Sequence, residues 1–412
     1  MGRRGHSIVM GLDIGTTKVC AIVGEVQDDA VVHIIGVGSA PSRGLKKGVV
    51  VNIDSTVESI RQAVDEAQHT AGVTISSAYV GIAGGHIMGI NSTGIIAVKG
   101  QEITLREIHQ VIDAARAVSL PMDREVIHVL PQEYIVDGQE GILDPLGLEG
   151  RRLEAKVHIV TAAVTSAHNI VRCVNRAGLE VEDIVLEQLA SGEATLTAEE
   201  RELGAVIIDI GGGTTDIALL TGNSVKHTAV LAVGGNHITS DLAFGLNILA
   251  PEAERLKKSH GCAYSKLVDA DTSVEVRAAG ERHLRKLPCL ELCNIIEPRV
   301  EEMLQMAQRE IMRSTYAESI SAGIVLTGGT ALLRGIVELA ETLFRLPVRC
   351  GIPVGIMGQV EMVNTPMYAT GVGLVQYGIK QQAYGRFHKF SDEHLFSRVY
   401  HRMRDWFGEF FT

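Results

Sequence analysis

An apolar run ending in Asp-Ile-Gly occurs twice in this 412-residue chain, with Asp13 and Asp209 196 positions apart. The first copy reads Val9-Met10-Gly11-Leu12-Asp13-Ile14-Gly15-Thr16-Thr17-Lys18. The second reads Val206-Ile207-Ile208-Asp209-Ile210-Gly211-Gly212-Gly213-Thr214-Thr215-Asp216. Each predicts a buried strand, a glycine turn and a second strand that begins at the paired threonines. Glycine lets the backbone approach a ligand closely, and successive N–H groups and hydroxyls can then surround phosphate oxygens. The aspartate at each strand end is placed to hold a hydrated magnesium ion. Chance turns do not repeat Asp, Ile, Gly and Thr-Thr together. The pair therefore predicts a duplicated fold gripping one nucleotide between its halves.

The chain is long enough for two or more domains, each with its own core. Hydrophobic residues make up 46% of it, and 44 glycines outnumber 10 prolines. Abundant Val, Ile, Ala and Gly suit buried parallel strands covered by helices. A net charge of −11 argues against a nucleic-acid partner. Cys20, Cys173, Cys262, Cys289, Cys293 and Cys350 are scattered without zinc-site spacing, as expected of reduced, packed thiols. The basic start, Met1 to His6, leads into an apolar stretch broken by Asp13, which is not a secretory signal. Without a run of 18 apolar residues nothing spans a membrane, and a cytoplasmic chain is expected.

Strands and turns alternate over 7–40. Asp54 is expected to cap a helix running to about Thr70, with Val57, Ile60, Val64 and Ala67 on one face. A strand over Ser77 to Ile82 ends at Gly84-Gly85. Residues 85–163 read as a separate small module of strands, broken by Pro121, Pro131 and Pro145, with one helix opened by a Thr104-to-Glu107 capping box. Helices are expected near Ser166 to Ala177 and Leu186 to Ala198. Residues 237–299 form a second insertion, followed by a helix over Pro298 to Tyr316. A strand over Ile324 to Thr327 then ends in a third glycine loop, Gly328-Gly329-Thr330, expected to open a helix at Ala331.

That third loop offers a bare backbone for a base or ribose and a helix N-terminus for positive potential. No Gly-x-x-x-x-Gly-Lys-Ser/Thr is present, and Gly211-Gly212-Gly213 does not open a helix, so neither a P-loop nor a dinucleotide fingerprint applies. The three loops in this order resemble the phosphate-one, phosphate-two and adenosine motifs of the actin, heat-shock chaperone and sugar-kinase ATPase superfamily. The resemblance implies an α/β, duplicated actin-like (ribonuclease H-like) ATPase fold with two lobes around a nucleotide cleft. It implies ATP and Mg2+ as ligands, with Asp13 and Asp209 toward the metal. Gly15, Thr16, Thr17, Lys18, Gly211, Gly212, Gly213, Thr214, Thr215 and Asp216 would surround the phosphates. Gly328, Gly329 and Thr330 fall on the adenosine side. Gly234-Gly235-Asn236 is similar to a ribose-side turn, and Glu254 and Lys257 fall where the superfamily contacts ribose and base. Ile184 to Ala194 is similar to the helix that precedes phosphate-two, making Glu187, then Gln188, the candidate that orients an attacking water.

Eight of the chain's 17 aromatic residues, including its only Trp, lie in the last 26 positions. Leu395, Phe396, Val399, Met403, Trp406, Phe407, Phe410 and Phe411 recur at spacings of three and four, opposite Arg398, Arg402, Arg404, Asp405 and Glu409. Ser391, with Asp392 and Glu393 behind it, is a suitable N-cap. Such a face, beyond a polar stretch at Lys380 to Lys389, suits an amphipathic helix lying in a membrane interface. Three Arg against two Asp and two Glu make its insertion mainly hydrophobic, without strong dependence on anionic lipid. Many tails on one polymer would bind firmly through effective concentration.

An actin-like core with this tail resembles the FtsA family of bacterial division proteins. Further matches are Ile35-Gly36-Val37-Gly38 with Pro41-Ser42-Arg43-Gly44, Leu130-Pro131-Gln132-Glu133-Tyr134, and Ile296-Glu297-Pro298-Arg299. The resemblance implies subdomain 1A at 7–84 with 164–203 and 364–380, and a family-specific subdomain 1C at 85–163. Subdomain 2A covers 204–236 with 300–363, and 2B covers 237–299. A linker at 381–390 and a membrane-targeting helix at 391–412 follow. It further implies binding of the C-terminal peptide of the tubulin-like FtsZ by 2B, with Arg285 and Arg299 as contacts. Filament formation, other division partners, a peripheral place on the cytoplasmic face of the inner membrane at the division site, and at most slow ATP hydrolysis are also implied. The competing readings are a small-molecule kinase of the sugar or acetate class, which leaves the tail unexplained, and a chaperone or pilus-assembly ATPase. The 237–299 insertion is too short for a chaperone-type peptide-binding domain.

Overall fold

The computed structural model describes residues 7–26, 31–100, 102–269, 271–277 and 284–388. Two sheets repeat one topology. In the first, the strands Ser7–Ile14, Lys18–Val26 and Val32–Pro41 form an antiparallel meander. Ser77–Ile82 and then Glu180–Leu186 add to it in parallel beside Ser7–Ile14. In the second, Ala205–Ile210, Thr215–Thr221 and Ser224–Leu231 form the meander, with Gly323–Thr327 and Val348–Cys350 parallel beside Ala205–Ile210. A sixth strand, Ile356–Gly358, extends the first sheet alone. The expected duplication is therefore a matching order of strands, carried by central strands with little or no solvent exposure.

Both faces of each sheet are covered by helices. Ile53–Ala71 lies across the first meander because Gly36 and Gly38 leave room for it: a Cβ on either would collide with the Ala67 or Ala63 carbonyl. Its N-cap is Asn52, whose Oδ1 accepts from Ser55 N at 2.9 Å, and not the expected Asp54, which sits in the first turn. On the other face, Glu187–Thr195 and Ala369–His388 pack backbone to backbone at Gly373. The last helix runs through the stretch expected as a linker from 381 as far as His388. The tail from 391 lies outside the described residues.

The inserted module is a four-stranded antiparallel sheet, ordered Met88–Ala97, Arg152–Ala163, Arg124–Val136, Gln139–Ile142. Leu105–Arg116 covers one face and carries the expected Thr104–Glu107 capping box. Pro131 does not break its strand. The ladder passes from Lys156↔Glu133 to Val157↔Pro131, leaving Gln132 as the extra residue of a β-bulge, a place that tolerates a missing N–H.

Two helix expectations fail. Cys289–Arg313 begins nine residues before Pro298, which lies inside it. Leu292, Ile296, Val300, Met303, Ala307 and Ile311 form one buried stripe, and packing of that stripe outweighs the lost hydrogen bond. After the third loop only a 3₁₀ turn, Gly329–Leu332, forms, and the next helix starts at Ile336. The helix expected near Leu186 to Ala198 is present as Glu187–Thr195, and a separate short helix, Ala198–Leu203, follows it.

Candidate functional site

The two Asp-Ile-Gly hairpins are built alike. Asp13 pairs with Cys20 and Ile14 with Val19, and Asp209 with Asp216 and Ile210 with Thr215. Each turn closes on one bond from the glycine N–H, Gly15 to the Lys18 carbonyl and Gly211 to the Thr214 carbonyl, both at 3.0 Å. This register corrects the sequence pairing. Thr16-Thr17 corresponds to Gly212-Gly213, and Lys18 to Thr214; the two threonine pairs are not equivalent. The second strand of the first copy accordingly starts at Lys18, one residue past its threonines.

The mismatch lets the loops face each other. Thr17 packs on Gly212, and a Cβ on Gly213 would stand 2.5 Å from the Thr16 hydroxyl oxygen. Thr16 Oγ1 also accepts from Gly48 N at 3.2 Å. Lys18 Nζ donates to the Met367 carbonyl at 2.7 Å and lies 3.8 Å from the centre of the Tyr368 ring.

The third loop joins the second. Thr330 Oγ1 donates to the Gly211 carbonyl at 3.1 Å, and the bare Cα of Gly328, at φ +83°, lies against the Asp209 carboxylate. Thr370 donates to Asp209 Oδ2 at 3.0 Å, and Met367 packs over Gly329. Gly234 and Gly235 open the helix Gly235–Leu246. Their turn is held against the second loop by Gly235 N to the Gly211 carbonyl and Asn236 N to the Gly212 carbonyl. Beneath it Lys257 Nζ donates to the Gly235 carbonyl at 3.0 Å and to Thr239 Oγ1 at 2.8 Å, and pairs with Glu254 at 2.7 Å. Burial lowers the Lys257 ammonium. It would raise Glu254, but Lys257 and Thr239 outweigh it and hold that carboxyl below its usual range.

Four acids converge where the loops meet. Burial pushes Asp13 up to about 6, partly offset by Lys18, and pushes Asp209 up to about 6, partly offset by Thr370. Burial also raises Asp216 and Glu187 well above the usual carboxylate range. Asp209 and Asp13 add to this at Asp216, and Asp13, Asp216 and Asp209 at Glu187. Glu187 opens its helix with its side chain over Gly81. Gln188 beside it is fully buried, its Oε1 without a partner, as is Asp216 Oδ1. Such a cluster, with an orphaned carboxylate oxygen, fits a cation that lets it ionise. No group of three or more His, Cys, Asp or Glu side chains among the described residues is arranged as direct ligands. Magnesium, which keeps most of its waters, fits Asp13 and Asp209 through its hydration shell.

The two arginines stand elsewhere, both against the helix Gly235–Leu246. Arg285 donates to the Leu246 carbonyl at 3.0 Å, while Arg299 Nε meets Asp241 Oδ2 at 2.5 Å and its guanidinium also reaches Glu302. Phe244 on that helix is 92% exposed. Phe244, Met367, Tyr368 and Thr370 carried no motif. The last three reach the first two loops from a segment far off in sequence.

The model of the family described as "Cell division protein FtsA" matches residues 206–373, and that of the "SHS2 domain inserted in FTSA" matches 84–161. A cell division protein FtsA from Pseudomonas aeruginosa is 50% identical over 92% of this chain and 91% of its own. The Escherichia coli K12 protein of that name is 42% identical over 90% of each. Among solved structures, a chain of a PilM-PilN type IV pilus biogenesis complex superposes with a TM-score of 0.65 at 18% identity, covering 90% of this chain and 98% of that one. MreB5 of Spiroplasma citri bound to ADP superposes with a TM-score of 0.55 at 15% identity, covering 94% and 99%. These likenesses place the fold as actin-like.

Proposed function

Because the chain belongs to the FtsA family of cell division proteins, we propose that it is an ATP-binding protein that polymerises and ties FtsZ filaments to the cytoplasmic face of the inner membrane at the division site. The observation that carries the nucleotide part is the convergence of two matched hairpin loops and four buried acids where the two sheets' loops meet. Thr16, Thr17 and Gly211 to Thr215 would surround the phosphates, with Lys18 reaching them after leaving Met367 and Tyr368. Gly328 to Thr330 and Met367 supply a wall for the base, and Glu254 and Lys257 the ribose side. Magnesium bound there would lower the cost of ionising the acids and neutralise phosphate charge. Burial and the neighbouring aspartates favour the protonated form of Glu187 until that charge is met, which suits slow hydrolysis and a nucleotide used mainly to hold the lobes together.

Phe244, with Arg285 and Arg299 against the same helix, offers an apolar and basic face for the acidic C-terminal peptide of FtsZ. Residues 391–412 would supply the membrane helix, through Leu395, Phe396, Val399, Met403, Trp406, Phe407, Phe410 and Phe411, and further division proteins would assemble on the filament. No helix among the described residues is long and apolar enough to cross a membrane. Electron microscopy on lipid monolayers tests the reading. The full chain with ATP and Mg2+ should form filaments on the lipid, and a chain ending at Phe390 should not. Equal decoration by both chains would sink the anchor, and filaments indifferent to nucleotide would sink the latch.

A further inference from the structure

The strand Ser224–Leu231 is the edge of the second lobe's sheet, and no strand among the described residues pairs with its outer side. Side-chain amides of the first lobe take the place of a neighbouring strand. Gln132 Nε2 donates to the Val225 carbonyl at 2.9 Å and the Lys226 carbonyl at 3.2 Å. Asn91 Nδ2 donates to the Lys226 carbonyl at 3.3 Å, and Gln188 Nε2 to the Ala229 carbonyl at 3.4 Å. His158 completes the row, with Nδ1 2.6 Å from Asn91 Oδ1 and Nε2 2.8 Å from Thr228 Oγ1. With the Asn91 amide nitrogen turned to Lys226, its oxygen accepts from His158 Nδ1–H, which leaves Nε2 to accept the Thr228 hydroxyl proton. Lys226 Nζ answers in the other direction, to the Gln132 carbonyl at 3.4 Å.

Gln132, His158, Thr228, Lys226 and Gln188 are all at least nine-tenths buried. A seam of buried donors and acceptors has two good arrangements, fully paired or open to water, because a half-paired one leaves desolvated polar groups. Its geometry is specified from the module's side: Gln132 is the extra residue of the bulge at Pro131, and a bulge re-aims a side chain. Gln188 belongs instead to the helix whose first residue, Glu187, stands among the acids of the cleft.

We propose that this seam is an interlobe latch, in which the inserted module grips the edge strand of the second lobe and Gln188 ties that strand to the acidic end of the cleft, so that cleft opening and release of the module occur together. The link to nucleotide rests on the ATP-binding reading above; the latch itself does not. Opening the lobes must break the row, and binding that closes them must tighten it, in the module as well as in the strand.

Hydrogen exchange on the full chain tests this, read at 224–231 and 124–136 with 205–210 as the internal reference. Thr228→Val and Gln132→Leu should each raise exchange in both segments about tenfold while leaving the reference protected. Thr228→Ser, which keeps the hydroxyl, should behave as wild type. Release of a fluorescent ATP analogue should be several-fold faster in the two disruptive variants. ATP with Mg2+ should slow exchange of both segments in the unmodified chain, a measurement that stands even if a variant does not fold. Unchanged exchange in soluble variants would overturn the latch. Faster exchange with unaltered release would equally overturn it, reducing the seam to packing. If the wild-type chain does not bind the analogue, the nucleotide reading fails, and the latch is then judged on exchange alone: unchanged exchange in the variants overturns it, and loosening of 224–231 and 124–136 together supports it.

Discussion

The Thr17 side chain occupies the space that a Cβ on Gly212 would need, so the two phosphate-type loops close on each other through a threonine of one and a bare backbone of the other. Gly212→Ala should push the loops apart. Overpacking of this kind costs about 1–3 kcal/mol, and ATP affinity should fall about tenfold or more, as read by calorimetry. Thr17→Ser in the same chain removes the colliding methyl group and leaves contacts of 3.0 and 3.2 Å. It should restore much of that loss. A double variant no better than Gly212→Ala would show that the loops do not meet in this way.

Lys18 gives a second expectation. Its ammonium is held by the Met367 carbonyl at 2.7 Å and by the face of Tyr368. On the ATP-binding reading it exchanges these partners for a phosphate oxygen, and losing a charged hydrogen bond of that kind costs about 1.5–3 kcal/mol. Lys18→Ala should therefore weaken ATP binding about tenfold or more, whereas Tyr368→Phe, which keeps the ring face, should leave it nearly unchanged. Unaltered affinity in Lys18→Ala would remove Lys18 from the phosphate site.

Arg299 is engaged by its own chain. Its ion pairs with Asp241 and Glu302 are partly exposed and worth about 0–1 kcal/mol in such settings. Asp241→Asn should loosen the guanidinium at little cost in stability and raise affinity for an acidic FtsZ C-terminal peptide a few-fold in fluorescence anisotropy. Arg299→Ala and Phe244→Ala should lower it. A weaker peptide complex in Asp241→Asn would place the binding surface elsewhere.

The duplicated hairpins were legible because their information is local: an apolar run, one acid, then glycines at a turn. The same holds for the Thr104 capping box and for the helix face of Val57, Ile60, Val64 and Ala67. What was not legible depends on partners distant in sequence. Pro298 signals a helix start, and only the stripe from Leu292 to Ile311 shows why the helix runs through it. Pro131 signals a break, and only the ladder to Arg152–Ala163 turns it into a bulge. Thr370 reaches Asp209 across 161 residues, and Lys18 reaches Met367 across 349. Equating the threonine pairs failed for a simpler reason, since motif letters were aligned where hairpin register decides.

Asp183 offers a pH test away from the cleft. Its Oδ2 accepts from the Tyr377 hydroxyl at 3.0 Å and its Oδ1 from Ile184 N at 2.9 Å. Burial nevertheless pushes its carboxyl up to about 6, the two donors only partly opposing it. The folded state thus binds this proton more tightly than an unfolded chain, whose aspartates titrate near ~3.9. The stability this group contributes is full below about pH 4 and is lost as pH rises through about 6. Asp183→Asn removes the charge that must otherwise be buried. Two pH units correspond to roughly 3 kcal/mol at about 1.4 each, and a poorer hydrogen bond to Tyr377 offsets about 1 of that. In urea melts the variant should be more stable than wild type by about 1–2 kcal/mol at pH 8, nearly equal to it at pH 5, and weaker by about 1 kcal/mol below pH 4. A variant destabilised equally at pH 8 and pH 5 would mean that Asp183 is ionised without penalty in the folded chain.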